Sequence, residues 1–405
     1  MRVIALLILT MNFALANPLQ EAIDSAKSGD VIELGKGEFI GDIIINKPLT
    51  IKGNDTIITG ENKGTVISIV SPNVTLENLT IRGSGNSHGV LDAGVSCKSA
   101  YNVKILNCDI KDSLFGINFE QCNDSIIHGN RITSKDTSPG LKGDGIRLWY
   151  SHNNELTYNY VYDSRDTVIW YCSGNLIQHN VGVRGRYALH FMYSGRNLVL
   201  DNNYTENSVG VFFMFSNGSE AKRNIVASST GAFGLGFGMK DVSDFLIEDN
   251  IMIYNARGLY IDNSPYEPGT TNIYRNNQIL YNTVAVQTQS VQLPSIFENN
   301  NFIGNMDMMV SGSNDEQLTK NTWIGNYFDE YQGFDRDNDG FGDTPYQNYI
   351  YADILWQTFP NLQFFYGSAV ISGINLLAKL APFSEPMLLI TDESPRMKPL
   401  EFKNE

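Results

Sequence analysis

One unit of about 22 residues recurs through most of this 405-residue chain, and that period constrains the fold more than any other feature. The unit opens with Asn (Ser243 in one copy), alternates aliphatic and polar residues, and reaches a second Asn before another aliphatic pair. Two copies are Asn73-Val-Thr-Leu-Glu-Asn78-Leu-Thr-Ile and Asn102-Val-Lys-Ile-Leu-Asn107-Cys-Asp-Ile. The pattern returns at residues 123–130, 154–159, 175–180, 197–202, 217–224, 243–250 and 272–277, and its last copies end at Asn300 and Asn321. Between copies lies a second strand signal, a small residue followed by alternating apolar positions: Gly94-Val-Ser-Cys, Gly116-Ile-Asn-Phe, Gly145-Ile-Arg-Leu-Trp, Ala188-Leu-His-Phe, Gly210-Val-Phe-Phe-Met and Gly258-Leu-Tyr-Ile. Most steps are 21 to 23 residues, with a few of 26 to 29 where loops are inserted.

A unit of two or three short strands cannot bury its apolar side alone, so copies must stack and share one core. The period therefore predicts an all-β chain, a right-handed parallel β-helix (solenoid) of roughly ten to eleven coils of ~22 residues, with coils about 4.8 Å apart. Side chains one period apart become vertical neighbours. The second Asn suits an inward or turn position, where its amide bonds backbone groups and tolerates a left-handed bend. The spacing of leucine-rich repeats is missing. Before the repeats, Leu19 to Gly29 has helical apolar spacing and reads as an N-terminal capping helix. After Asn326 the repeat fades into an aromatic, acidic segment and then a Pro-rich C-terminal extension.

Arg2, the apolar run Val3 to Leu9 and Ala14-Leu15-Ala16 form the pattern of a secretory signal peptide. The expected organisation is thus residues 1–16 signal peptide, 17–350 β-helix with its cap, and 351–405 extension. The formal charge of −15 with only 18 % charged residues leaves no basic face for nucleic acid or anionic lipid. Cations are a better match. Cys97, Cys108, Cys122 and Cys172 have no metal-knuckle spacing. Export permits disulfides, but the simpler expectation is buried thiols packed as small apolar groups.

Four groups of residues stand out as candidate sites. His190, Met192, Met214 and Met239 fall on successive coils, Met214 being 22 residues after Met192. Thioether and imidazole ligands favour Cu(I) over hard cations, although Met among Phe residues also serves as core filling. Asp335, Asp337, Asp339 and Asp343, with Gly340 at the sixth position, resemble a calcium loop. Tyr346 at the twelfth position excludes a full EF-hand, and an Asx-rich turn without an ion is the alternative. Arg147, Trp149, Tyr150, Arg165, Trp170, Tyr171, Arg184, Arg186 and Tyr187 would line a groove for a sugar or a partner, or stack within the fold. In the tail, Leu362, Phe364, Phe365, Tyr366, Ile371, Leu376 and Leu377 belong to a segment too interrupted by polar residues for a membrane span, which suits docking on a partner or membrane surface.

No P-loop, G-x-S-x-G or H-E-x-x-H occurs. The G-H-G turn and clustered Asp pairs of pectin-cleaving β-helices are missing, as is the Asp-Pro-His-Asp motif of alginate epimerases. The chain is therefore expected not to be an enzyme, the alternative being a carbohydrate-active β-helix: a lyase, an epimerase or a sugar-binding module.

The string from Asn321-Thr-Trp323 through Asn326-Tyr-Phe-Asp329-Glu-Tyr331 to Gly342-Asp343-Thr-Pro345-Tyr346 resembles the end of the repeat region in the NosD family, accessory proteins of nitrous-oxide reductase maturation. Phe328 stands for the family's usual Trp and Glu330 for its usual Asp. The likeness extends over the opening Leu19 to Val31, the Asn-rich coils, and the ending Pro382 to Pro386 and Ser394 to Pro399. The resemblance implies a periplasmic, copper-binding, non-enzymatic protein that works with an ABC transporter, standing on its membrane subunit through residues 355–399. A copper chaperone and nitrous-oxide reductase would be its other partners. The family has no short copper motif to carry over, so the copper and calcium candidates rest on side-chain chemistry and coil spacing.

Overall fold

The computed structural model describes residues 3–6, 17–311, 320–350, 365, 368–380 and 387–401. The chain is a parallel β-solenoid of about 13 turns that divides into two compact units, Met1–Ile225 and Val226–Glu405.

The first unit opens with the helix Pro18–Ser25. Asn17 caps it by accepting the backbone N–H groups of Leu19 and Gln20 at 3.1 and 3.2 Å, and Pro18 supplies a φ already suited to the first turn. Leu19, Ala22 and Ile23 are buried. The helix stops before the expected Gly29, because Asp30 accepts the backbone N–H of Lys27 and turns the chain into the strand Asp30–Leu34. Val3–Leu6 pairs in parallel with that strand, and residues 7–16 of the expected signal peptide lie outside the described residues.

Eight strands of this unit form one parallel sheet: Ile43–Ile45, Ile67–Ile69, Ala93–Lys98, Phe115–Glu120, Ile146–Trp149, Asp166–Trp170, Tyr187–Met192 and Val209–Met214. On the opposite side Ile105, Ile127, Leu156, Ile177 and Val199 are register partners coil after coil, all essentially inaccessible. This is the vertical neighbour relation that the repeat demanded. The turn number exceeds the expected ten to eleven because the coils before residue 73 lack the Asn signature. There Thr56 fills the buried polar position, its hydroxyl donating to the Leu34 or Gly35 carbonyl.

The second Asn of each repeat builds a continuous internal ladder. Asn130, Asn159, Asn180, Asn202 and Asn224 are buried. Each of the first four donates its backbone N–H and its side-chain amide to the Oδ1 of the next, as at Asn159, which donates to Asn180 Oδ1 from both its backbone (3.0 Å) and its side chain (2.9 Å). The same amide donates to the Ile127 carbonyl at 2.8 Å. Buried polar groups are tolerated only when bonded in this way. In the first two copies the left-handed bend falls on the second Asn as expected, at Asn78 and Asn107 with φ of 57° and 50°; in later copies it falls one residue before it, at Tyr158, His179, Asp201 and Arg223, with φ between 54° and 56°. In those later copies the Asn itself keeps an ordinary backbone and serves as the bonding rung.

A second ladder explains the cysteines. The backbone N–H of Cys122 bonds Ser151 Oγ, that of Ser151 bonds Cys172 Sγ, and that of Cys172 bonds Ser194 Oγ. Cysteine and serine thus alternate at one coil position as small acceptors. Against the expectation of free thiols throughout, Cys97 and Cys122 form a disulfide, their Cα atoms 6.6 Å apart, while Cys108 and Cys172 are free and buried. Burial pushes the Cys172 thiol up to about 11, so it is no thiolate ligand.

In the second unit Leu235–Lys240, Arg257–Asp262, Val284–Ser290 and Asp307–Ser311 stack in parallel. Its Asn ladder runs Asn250, Asn277, Asn300, Asn326 and ends on the buried carboxylate of Asp392, which accepts the backbone N–H and side-chain N–H of Asn326, each at 2.9 Å. Asp392 closes the strand Met387–Asp392, antiparallel to Tyr346–Ile350. The resembling string makes the aromatic plug of this end: Trp323 stacks on Phe297 at 4.0 Å and Phe328 on Tyr346 at 3.8 Å. Arg396 then donates to the Gly325 carbonyl and Asn299, sealing the last coil.

Candidate functional site

The strand Tyr187–Met192 alternates as its sequence dictates. Leu189 and Phe191 are fully buried, Phe191 stacking on Phe213 at 4.8 Å inside the core. Ala188, His190 and Met192 have the opposite, outward parity. Met192 is the register partner of Met214, as the step of 22 residues required, and His190 Nε2 lies 3.3 Å from Met214 Sδ. The structure thus brings His190, Met192 and Met214 onto one face within one coil step.

His190 is not an ordinary surface histidine. It is 8 % exposed, and burial pulls its pKa down to about 4, the charge of Asp166 opposing and that of Arg186 reinforcing the shift. Its imidazole is neutral at any pH near 7, with a nitrogen lone pair available to a metal. Nδ1 is buried and has no hydrogen-bond partner among the described residues. A ladder irregularity between Asp166 and Val168 breaks the two-residue alternation beside it. Tyr187 consequently lies flat against the imidazole, ring centroids 4.5 Å apart and planes 18° from parallel. The Arg186 guanidinium covers Tyr187 at 4.9 Å and is held by the buried carboxylate of Asp166, Nε to Oδ1 at 2.9 Å. One coil away Arg165 holds Asp144 in the same manner, at 2.9 Å. Burial, then the charge of Asp166, raises Asp144 to about 6.

Metal–nitrogen and metal–sulfur bonds of about 2.0 and 2.3 Å, the lengths zinc shows, span an edge of roughly 3.3 Å when they meet at about 100°. The observed separation matches that edge. Asp166, the carboxylate whose charge bears on His190, is ion-paired to Arg186. The donor set is therefore soft and neutral.

Met239 requires a correction. It is the fifth residue of its strand, not the sixth, and so takes core parity with Phe237; both are fully buried in the second unit. The copper candidates carried forward are His190, Met192 and Met214.

The aromatic and basic set resolves as stacking and ion pairing. Tyr150, Tyr171, Tyr193 and Phe215 form a ladder with centroids 4.8 to 5.0 Å apart and planes 11° to 13° from parallel. Their faces are turned to one another, leaving edges to solvent, whereas sugar stacking needs open faces. Arg147 bonds Asn118 at 2.9 Å, and Arg184 bonds Asp163 through two contacts of 2.8 Å.

Asp335, Asp337 and Asp339 converge, one carboxylate oxygen of each lying within 4.8 Å of the others. Their oxygens accept backbone N–H groups of the loop: Gly340 donates to Asp335 at 3.0 Å and Phe341 to Asp339 at 2.8 Å. Asp343 lies outside the cluster and accepts the Arg336 N–H at 2.7 Å. In the extension the helix Ala369–Leu380 exposes Val370, Leu376, Leu377 and Leu380 by 56 to 74 %, and Phe365 is also exposed. Leu362, Phe364 and Tyr366 lie outside the described residues, as does the side chain of Ile371. No helix among the described residues is long and apolar enough to cross a membrane.

A sequence profile of the family described as "Periplasmic copper-binding protein (NosD)" matches residues 133–333, the stretch that carries His190, Met192 and Met214. A protein of Pseudomonas aeruginosa named "Probable ABC transporter binding protein NosD" is 25 % identical over 97 % of this chain and 96 % of its own length. One of the same name from Stutzerimonas stutzeri is 25 % identical over 86 % of this chain and 83 % of its own. The chain belongs to the NosD family. Among solved structures, the A-module of the Azotobacter vinelandii mannuronan C-5 epimerase AlgE6 is similar with a TM-score of 0.55, covering 78 % of this chain and 94 % of that one. At 13 % identity this likeness shows the fold alone. Names within the NosD family denote binding proteins, in keeping with an accessory role.

Sequence reasoning overlooked Asp166 and set Trp170 among the groove aromatics rather than beside Met192. Asp166 holds Arg186 and biases His190, and its signal was its place one coil before Tyr187. Trp170 shares the column of Met192, which the same 22-residue arithmetic discloses.

Proposed function

We propose that this NosD-family protein is a periplasmic, non-enzymatic accessory of an ABC transporter that supplies copper during assembly of the copper centres of nitrous-oxide reductase. Copper is its cargo, received from a copper chaperone. The observation that carries the reading is the 3.3 Å approach of His190 Nε2 to Met214 Sδ, with Met192 in register beside it. A neutral imidazole and two thioethers favour Cu(I) and compete poorly for hard divalent cations. The family's description and the names of its relatives support the copper and transporter parts. The exposed apolar side chains of the helix Ala369–Leu380 supply a surface for the transporter's membrane subunit, so that the protein associates with the membrane through its partner. The loop at Asp335, Asp337 and Asp339 gives calcium a second place, beside the backbone N–H groups that its carboxylates already accept.

Anaerobic titration of the chain with Cu(I) against a chromophoric chelator tests the cargo site. Stoichiometric binding that is lost in His190→Ala and Met214→Ala is the expected result. Binding no tighter than millimolar, or unchanged in both variants, would remove the reading.

A further inference from the structure

The outward column that holds the two thioethers does not begin with them. Register pairs run Trp149 to Trp170, Trp170 to Met192, and Met192 to Met214. Trp170 is therefore the rung directly beside Met192. Its ring orientation follows from its neighbours. The stack of Tyr150, Tyr171 and Tyr193 crosses from coil to coil with planes 11° to 13° from parallel, so these ring normals lie along the stacking direction. The indole of Trp170 is 16° from the plane of Tyr171. One face of the indole is thus turned toward the coil of His190 and Met192. The indole Nε1 is buried and has no hydrogen-bond partner among the described residues, so no hydrogen bond there accounts for the placement.

We propose that Trp170 is a further cargo-binding residue, its indole face closing the His190, Met192 and Met214 site as a cation–π lid over a soft monovalent ion. The inference rests on the copper reading above and adds the residue that selects the ion. A cation level with Met192 would sit roughly one coil step, about 4.8 Å, from the indole plane, inside the ~6 Å reach of a cation–π contact. An indole face offers quadrupolar attraction but no lone pair, and it covers the side from which water would complete a hydrated divalent ion's shell. Cu(I), content with few soft ligands, tolerates that cover. Ag(I) shares the charge and softness and serves as a probe that does not change oxidation state under these conditions.

The test is an anaerobic titration of the full chain with Cu(I), repeated with Ag(I), reading both affinity against a competing chelator and tryptophan fluorescence. The wild-type protein is expected to show stoichiometric quenching with either ion. Trp170→Leu should bind about tenfold more weakly and lose most of the quenching, consistent with a largely desolvated cation–π contact. Trp170→Phe keeps a ring in the column, guards against a folding defect, and should fall between the two. Binding of both variants within twofold of wild type overturns the role of Trp170, as does quenching that survives in Trp170→Leu. If His190→Ala and Met214→Ala also bind as wild type, the copper site itself fails. If only they lose binding, the ligand set stands and the lid alone is refuted.

Discussion

Replacing His190 by Gln should make the metal-free protein less sensitive to acid, because the native structure holds this imidazole neutral inside the fold. An unfolded histidine titrates near 6.5, whereas native His190 titrates near 4. The native value is the lower one, so stability is lost as pH falls, beginning near the unfolded value and ending near the native one. At pH 5 the unfolded imidazole is almost fully protonated and the native one about a tenth protonated, a difference worth about 2 kcal/mol, rising to about 3 kcal/mol below pH 4. Asp144 works in the opposite sense. Its carboxyl is raised to about 6 in the native state, so protonation from there down to the ordinary carboxylate range favours folding. The wild-type slope is thus a compromise, and only the difference between wild type and His190→Gln isolates the imidazole. Urea unfolding of both at about pH 7 and pH 5 with a chelator present gives that difference, which should shift by about 2 kcal/mol toward the variant at the lower pH. Because solenoids need not unfold in one step, amide exchange at Leu189 and Phe191 should be followed alongside. Equal pH dependence in the two proteins, or a His190 resonance that titrates near 6.5, would refute the buried neutral imidazole.

Three further outcomes are expected. Asp392→Asn keeps one oxygen for the two N–H groups of Asn326, as in the earlier rungs, but turns an amide NH2 toward the backbone N–H groups of Gly325 and Ser394 that the other carboxylate oxygen accepts; it should cost about 2–3 kcal/mol by chemical denaturation and speed exchange in the final coil, and a change below about 0.5 kcal/mol would discredit the terminal-acceptor role. Reducing the Cys97–Cys122 disulfide, which links residues 25 apart in sequence, or replacing both by Ala, should cost on the order of 3 kcal/mol in the first unit. Leu376→Glu with Leu377→Glu should lower affinity for the transporter's membrane subunit tenfold or more in a detergent pull-down with an unchanged melting curve, as expected for apolar anchor residues.

The solenoid was legible because a period of about 22 residues converts distance along the chain into height along the stack. Met192 against Met214 is the clearest instance, a spatial pair obtained by subtraction and found in register. Subtraction alone failed at Met239. A lengthened coil let the thioether fall one place earlier in its strand, and one place in a strand reverses the side chain from face to core. Parity within each strand must be counted as well as the period. The disulfide was hidden for a related reason: Cys97 lies in a strand and Cys122 follows one, so their sequence separation of 25 is not a coil step. Asp392 could not be foreseen as the end of the Asn ladder, because 66 residues separate it from Asn326 and no repeat connects them. The coils before residue 73 escaped notice because Thr56 performs the bonding that Asn performs later.

A metal site on a solenoid face meets a geometric difficulty that also explains its form. Coils stand about 4.8 Å apart, wider than the edge between two ligand atoms on one small ion, so identical residues stacked in register do not chelate by stacking alone. One donor must lean across the step. The flexible thioethers can do so. His190, however, is stiff, and its nitrogen reaches Met214 of the next coil only from a position two residues before Met192. The ladder irregularity at Asp166 and Val168 places Tyr187 against the imidazole, and the Asp166–Arg186 pair braces Tyr187 from behind. The histidine's pose is thus set by Tyr187 and Arg186 of its own coil and by Asp166 of the preceding one, while its partner ligand comes from the following one. Three consecutive coils therefore have to hold their spacing for one ion to be bound. A rigid Asn ladder through that same stretch, Asn159 to Asn180 to Asn202, is what maintains it.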